Sequence, residues 1–582
     1  MGIINGYAIN IVNGISNNIS ELPPSEAVIF GIASILLISA IFAFIARILR
    51  QPLIPAYVIA GLFAGPLFLG LITSKDIIHA FLEIGIVFLL FIAGLEISIK
   101  KIREANLKKI LLIGVLQVIA IFLIIYFTRD WFNLSALESI YLGIMLAFSS
   151  TMVDIKLLAD KGELVTLHGR LVLGILLLQD LVAIIAIALL TAGEFSLISI
   201  LFMLSKLTLI ILLAILLQQL VLERIFKFAA KSTELLFITS LGVLFLFIIL
   251  SYISEISIAI GAFIAGISLA NTPFKTELES RISPIKDFFA ILFFVALGMQ
   301  IMFAGLNEHL SLLIFLIIIS LIIKPIILFI LLRFGAYQTR TSFQTAITLG
   351  QLSEFSLIIG LLGLSTGALT NSLFSTIILA TVVSMSLTPY FIHQKNILYQ
   401  IFKKPAQLLN FLPEKITPEH DDKMNKTVLL IGAHRIGGAI IKELEKQKQK
   451  LIVIDHNPEI IKALTDKKIT SIYGDVLSPE ILNKVNIKKL KLVICTQPGY
   501  EENLIILKKI KKSNRRTKVI VTGQRISETL ELYEKGADYV ITPKIIAGQE
   551  LSRMIRNRSK ISLTAAKNKH LQYLREIHNV LY

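Results

Sequence analysis

From residue 27 to residue 393 the sequence is a succession of apolar runs, and nothing else about the chain restricts its fold so tightly. A helix needs roughly 20 residues to cross a hydrocarbon layer ~30 Å thick, and the runs are about that long. In lipid the backbone must satisfy its own N–H and C=O groups, which leaves helices as the form these runs can take. Thirteen spans are predicted, at 27–46, 54–71, 78–98, 110–127, 138–159, 169–192, 196–218, 232–250, 255–271, 285–303, 310–334, 341–365 and 372–393.

Loop charge tests that count. Alternate loops carry Arg47 and Arg50; Lys100, Lys101, Arg103, Lys108 and Lys109; Lys156, Lys161 and Arg170; Arg224, Lys227 and Lys231; Lys275, Arg281 and Lys286; and Arg333 and Arg340. The opposite loops hold only Lys75 and Arg129, a ratio of 18 to 2. By the positive-inside rule the first group is cytoplasmic, which puts the N-terminus outside and the C-terminus inside a multi-pass cell (inner) membrane protein. The net charge of +17 is accounted for by these loops and a lysine-rich tail, so no nucleic-acid partner is inferred. The polar stretch 1–26 lacks the basic start and cleavage site of a signal peptide and is expected outside the membrane.

Thirteen spans divide into two sets of six around a seventh. An offset of seven reverses direction, so inverted repeats are expected, with broken helices meeting near the midplane. Span 5 is interrupted by Ser149-Ser150-Thr151, and span 12, its counterpart, by Gly350-Gln351-Leu352-Ser353-Glu354.

An ionisable group at mid-bilayer costs roughly 2.5–3.5 kcal/mol and marks a site of function. Asp180 stands near the middle of span 6, beside Gln179, and Lys324 at the same depth of span 11. The two are expected as neighbours, since each charge lowers the burial cost of the other. A carboxylate there can be neutralised by a proton or by a metal cation, and alternating exposure of such a site gives exchange. With Gln179 where a second acid would double the charge, exchange is expected to be one cation for one proton. Glu354 follows the break in span 12 and is expected to support the site. Glu83 and Glu96 are read as snorkelling to the interfaces, Asp154 and Lys156 as solvated helix-end charges, and Lys206 has no evident partner.

Beyond residue 393 the chain changes character. Residues 394–426, with Pro405, Pro413 and Pro418, read as a linker, 427–545 as alternating strands and helices, and 546–582 as a helical tail. Strand-like runs at 427–431, 451–455, 469–472, 492–496, 518–522 and 539–542 predict a doubly wound parallel sheet. Gly432-Ala433-His434-Arg435-Ile436-Gly437 follows the first run and opens a helix, where phosphate is bound at helix N-termini. Asp455, ending the second strand, is placed to hold ribose hydroxyls, and Gly474-Asp475 follows the third. His434 stands where a dinucleotide fingerprint has glycine, so AMP or ATP competes with NAD(H) as the adenosine ligand. Cys495, the single cysteine, is read as a core residue of a strand.

At these residues the sequence resembles the monovalent cation:proton antiporter superfamily, and within it the Kef-type potassium efflux antiporters with a TrkA-N/RCK-type Rossmann domain. The matching stretches are Ala147-Phe148-Ser149-Ser150-Thr151, Gln179-Asp180, Gly261-Ala262-Phe263-Ile264-Ala265-Gly266, Leu278-Glu279, Pro284-Ile285-Lys286, Phe293-Phe294 through Gly298-Met299, and Gly350-Gln351 through Glu354-Phe355. The resemblance implies a polytopic α-helical membrane domain over 27–393 with crossed broken helices, plus an α/β Rossmann-like cytoplasmic domain. It also implies K+ (or Na+) and H+ exchanged at Asp180, Ser150 and Thr151, with Gln351 and Glu354 alongside, a nucleotide as regulatory ligand, and a homodimer. The Gln-Asp pair is similar to the potassium branch; a sodium antiporter of the same fold is the runner-up. The loop bearing Arg281 and Ser283 departs from the more acidic loop of glutathione-gated relatives, so glutathione gating is not carried over. A cation channel would need a filter such as Thr-Val-Gly-Tyr-Gly, which the sequence lacks. An oxidoreductase would need a substrate domain, for which the tail leaves no room. No catalytic cofactor is implied.

Overall fold

The computed structural model describes residues 24–407 and 427–556, except 50, 73, 97–106, 162, 165, 192–196, 231, 271, 273–274, 303–307, 434, 447–449, 456, 468, 475, 478–480, 482–484 and 486. Two compact units are distinguished, one from residues 1–154, 171–331 and 345–398, the other from 155–170, 332–344 and 399–582.

The chain up to residue 393, most of it in the first unit with 155–170 and 332–344 in the second, is helical. It runs through α1 (Pro24–Ile48), α2 (Leu53–Ala64), α3 (Lys75–Glu96), α4 (Leu107–Thr128), α5 (Ala136–Ala147), α6 (Thr151–Asp160), α7 (Leu167–Leu190), α8 (Leu197–Leu217) and α9 (Glu223–Ala229). It continues with α10 (Thr233–Ile253), α11 (Ile258–Ala270), α12 (Lys275–Met299), α13 (Leu310–Ile318), α14 (Lys324–Phe334), α15 (Thr339–Thr348), α16 (Glu354–Ser365) and α17 (Asn371–His393). Among the described residues nine helices are long and apolar enough to cross a membrane. Shorter apolar helices, α2, α11 and α16, stand at three more of the expected positions.

Local sequence sets where these helices start and how closely they pack. Ser135 caps α5 in a reciprocal box, its hydroxyl accepting from Glu138 N–H at 3.2 Å while its own N–H donates to the Glu138 carboxylate at 2.8 Å. Small residues let backbones touch where lipid supplies no hydrophobic drive between helices. A Cβ at Gly94 of α3 would lie 2.3 Å from the Phe263 carbonyl oxygen of α11, and one at Gly266 would lie 2.0 Å from that of Phe91. The Gly261–Gly266 stretch is therefore a packing segment. Outward side chains such as Ile198, Phe202 and Leu209 are exposed and apolar, as a lipid-facing surface requires.

The second unit holds a parallel sheet. Strands β1 (Val428–Ile431), β2 (Leu451–Asp455), β3 (Ser471–Tyr473), β4 (Leu492–Cys495), β5 (Lys518–Thr522) and β6 (Tyr539–Ile541) lie in the order β3-β2-β1-β4-β5-β6. Val428 pairs with Leu451 on one side and Leu492 on the other, so the order reverses at β1 and β4. Helices α18 (Arg435–Lys446), α19 (Pro458–Asp466), α20 (Tyr500–Ser513), α21 (Ile526–Glu534) and α22 (Pro543–Arg556) connect or follow the strands. Both faces of the sheet carry apolar clusters, as parallel strands demand. The third strand starts two residues later than its apolar run, because Ile469 N–H closes the preceding helix on the Leu464 carbonyl. Cys495 ends β4 fully buried, and burial pushes its thiol up to about 12.

Asp538 yields a pH prediction. Burial pushes its carboxyl up, but hydrogen bonds from Lys511 (2.6 Å), Val519 N–H (2.8 Å) and Lys518 (2.9 Å) outweigh that and hold it down at about 2. A carboxylate depressed in the folded state stabilises above its unfolded pKa of about 3.9, and the contribution is lost as pH falls through about 2. Asp538→Asn is expected to lower the melting temperature of the sheet unit at pH 7, with the deficit shrinking below about pH 4. Thermal melts across that range check it; a deficit independent of pH would contradict the ion pairing.

Candidate functional site

Two broken helices generate the problem that the site solves. The C-terminal carbonyls of one half-helix and the first N–H groups of the next have no intrahelical partner, and lipid offers none. The chain between α5 and α6 is Phe148-Ser149-Ser150, and that between α15 and α16 is Leu349 through Ser353. These breaks lie against each other: Ser149 Oγ donates to the Leu349 carbonyl at 2.9 Å, and Ser356 Oγ donates to that of Met145. Ser320 Oγ donates to the Gly350 carbonyl at 2.7 Å.

Lys324 lies fully buried between the breaks, just after a π-turn at Ile319–Ile323. Its ammonium donates to the carbonyls of Phe148 (2.7 Å), Gln351 (2.9 Å) and Leu146 (3.3 Å). This places the lysine's three donors where helix C-termini gather negative charge. Among the described residues it forms no ion pair with Asp180; backbone carbonyls accept its three hydrogen bonds. Asp154 lies within electrostatic reach of Lys324.

Asp180, buried on α7, faces the opposite kind of terminus. Thr151, the first residue of α6, donates its hydroxyl at 3.1 Å to both carboxylate oxygens. A negative group thus meets the positive end of a half-helix. Gln179, its neighbour, turns the other way: its Oε1 accepts from Ser149 N–H at 2.9 Å and its Nε2 donates to Gln117 at 2.7 Å. Ser150 and Glu354 are buried as well, and Ser150 Oγ accepts from Val153 N–H at 3.4 Å.

Asp154 overturns its reading as a solvated helix-end charge. It is fully buried, with Oδ1 accepting from Gln351 Nε2 at 2.6 Å and Oδ2 without a hydrogen-bond partner among the described residues. Position near the end of an apolar run suggested solvent; the break at 148–150 instead draws the residue inward. Lys206, without an account in the sequence, pairs with Glu255 at 2.9 Å beyond the end of α10. Glu83 and Glu96 are exposed, Glu96 pairing with Lys286 at 3.1 Å.

In the sheet unit, Gly432 ends β1 with φ +87°, and a Cβ there would lie 2.5 Å from Thr496 Oγ1 at the end of β4. This is the point of strand-order reversal, where open α/β sheets bind ligands. Gly437 presses on Gly432, a Cβ at the former falling 2.0 Å from the latter's carbonyl oxygen. Asp455 is buried, and its two oxygens accept from Ala433 N–H (2.6 Å) and Asn457 N–H (2.7 Å). The acid placed in the sequence against ribose therefore also holds the glycine loop in shape. Gly474 has φ +152° and faces Gln338, whose Nε2 would lie 2.4 Å from a Cβ. His434 and Asp475, the basic loop residues Arg50, Lys100, Lys101, Arg103 and Lys231, and the side chain of Arg435 fall outside the described residues.

A family model described as sodium/hydrogen exchanger, transmembrane, matches residues 32–393, more than half of the chain. The chain belongs to the sodium/hydrogen exchanger family. A TrkA-N domain model matches residues 428–543. The exchanger is 28% identical over 502 residues to the glutathione-regulated potassium-efflux system protein KefC of Escherichia fergusonii, covering 83% of this chain and 77% of that protein. The protein of the same name from Escherichia coli K12 is 27% identical over 494 residues, with the same coverages. Among solved structures, the sodium proton antiporter from Methanocaldococcus jannaschii at pH 8 shares the fold, with 17% identity over 66% of this chain and 98% of that one and a TM-score of 0.50. Family membership makes the chain a membrane cation:proton antiporter and not an enzyme, with a TrkA-N domain attached.

The exchanger's site brings together Ser149, Ser150, Thr151, Gln179, Asp180, Lys324, Gln351 and Glu354. Sequence reading missed Gln117, Ser320 and Ser356, and misplaced Asp154. Gln117 had a usable signal, a lone amide in an otherwise apolar run of span 4. The rule that polar groups in membrane helices have partners covers amides as well as charges.

Proposed function

We propose that this exchanger swaps K+ for H+ by alternating access at Asp180, in thirteen spans arranged as two inverted six-span repeats. The observation that carries the proposal is Asp180 itself: a buried carboxylate at the N-terminal end of a half-helix, bonded to a hydroxyl that a cation can also use. A proton or a dehydrated monovalent cation satisfies that carboxylate, with Thr151 and Ser150 supplying oxygens in place of water. The fixed ammonium of Lys324 keeps the breaks open without occupying Asp180. N-terminus outside and C-terminus inside follows from loop charge, and a homodimer is the assembly proposed. The potassium-efflux relatives favour K+ over Na+. In everted vesicles acidified by respiration and loaded with a pH dye, K+ is expected to dequench at lower concentration than Na+. Response to Na+ alone would replace the potassium reading with the sodium one.

The sheet unit is proposed to regulate exchange by binding AMP, ATP or NAD(H) beyond the ends of β1 and β4, where the positive φ of Gly432 and the N-terminus of α18 make a phosphate cradle. Because Asp455 holds the Ala433 and Asn457 N–H groups, Asp455→Ala should disturb the loop as well as remove an acceptor. Binding of these nucleotides to the purified chain is expected to weaken at least about tenfold, the effect of losing one or more charged hydrogen bonds. Unchanged affinity by calorimetry would remove Asp455 from the site.

A further inference from the structure

We infer that Gln117 is a positioning residue of the exchange site, acting through a two-amide relay that closes on the break in span 5. This rests on the exchange reading at Asp180. The relay has four members in fixed order. Ser149 N–H donates to Gln179 Oε1 at 2.9 Å, Gln179 Nε2 donates to Gln117 Oε1 at 2.7 Å, and Gln117 Nε2 donates to the Ala147 carbonyl at 2.9 Å. All three side chains, Ser149, Gln179 and Gln117, are fully buried.

The chemistry at each end settles the orientation of both amides. A backbone N–H only donates, so Gln179 must present its oxygen to Ser149 and its NH2 to Gln117. A backbone carbonyl only accepts, so Gln117 must present its NH2 to Ala147 and its oxygen to Gln179. Flipping either amide breaks two bonds between fully buried groups. The relay starts and ends two residues apart on the same break, reaching it from α4 and α7 at once. It caps the last carbonyl of α5 and one of the free N–H groups just before α6, the groups that breaking a helix leaves without partners.

Two consequences follow for exchange. Gln179 turns its oxygen away from Asp180, so it holds the break and is not a cation ligand, although it adjoins Asp180 in sequence. Thr151, two residues beyond Ser149, keeps its hydroxyl on Asp180 only while the start of α6 stays in place, and Gln117 helps to fix it there.

The test compares Gln117→Met and Gln117→Glu with wild type in proteoliposomes. Gln117→Met keeps the shape and removes the relay; apparent cation KM is expected to rise roughly tenfold, the size of one buried hydrogen bond's net worth. Gln179→Met should produce a similar rise, and the double variant no more than either alone, since one relay is being broken. Gln117→Glu has a different signature. A protonated acid donates through O–H and accepts through C=O, as the amide does. KM is therefore expected near wild type at acidic pH and raised at alkaline pH, beyond any change in the wild-type profile. An additive double variant, an unchanged KM in Gln117→Met, or a Gln117→Glu profile parallel to wild type would overturn the inference. Should Gln117→Met fail to fold, Gln117→Glu decides alone; failure of both makes the residue structural and overturns it too. If wild type exchanges no monovalent cation, the reading of Asp180 falls instead.

Discussion

Asp180→Asn inserts and folds but exchanges no cation for protons. Asparagine has the shape of aspartate and can still accept from the Thr151 hydroxyl, which bonds both carboxylate oxygens at 3.1 Å in the native site. The break between α5 and α6 therefore keeps its geometry. What the amide loses is charge, so it can neither release a proton to admit a cation nor balance the cation once dehydrated. A monovalent cation taken out of water without a counter-charge meets a penalty of several kcal/mol, enough to reduce binding by orders of magnitude. Proteoliposomes with an internal pH dye read the result: cation-driven proton movement at the level of empty vesicles, from protein that elutes and melts like wild type. Persistent exchange in that folded protein would sink the assignment. Thr151→Ala provides the contrast, because it leaves the charge and removes one oxygen, raising apparent KM while preserving maximal exchange.

The residues that were legible in the sequence share one property, that a single position carries their meaning. Asp180 and Lys324 announce themselves because a charge in an apolar run is costly wherever the chain goes. Gly432 announces the phosphate turn because strand, glycine and helix follow one another locally. Asp154 and Gln117 were not legible, for the converse reason. Whether Asp154 meets water depends on how two distant breaks fit together, and its Gln351 partner lies 197 residues away. Gln117 looks like any lone amide until Gln179 and the Ala147 carbonyl are placed beside it. The carbonyl partners of Lys324 were hidden for a related reason. Charge compensation was sought between side chains, while the broken backbone already provides it with half-helix dipoles of both signs.

That electrostatic division makes Lys324→Met the second large effect, expected on stability before transport. The ammonium supplies three hydrogen bonds to carbonyls of Leu146, Phe148 and Gln351, at or just beyond the C-terminal ends of the half-helices that enter the two breaks. Methionine matches the chain length and fills the space without a donor. Three buried acceptors would then lose a charged partner at about 1–3 kcal/mol each, a deficit of roughly 3 kcal/mol or more. Lys324→Gln restores two donors without the charge and should fall between methionine and wild type. The order of melting temperatures in nanodiscs, wild type above Gln above Met, is the prediction, with exchange lost in step. A lysine that serves as a proton carrier predicts a different pattern. Its removal would leave melting close to wild type and alter the charge moved per cycle, measured as potential-driven proton flux under clamped voltage. Among the described residues the hydrogen bonds of Lys324 all go to carbonyls, so the stability order is the expected result, and equal melting of all three proteins would overturn the capping role.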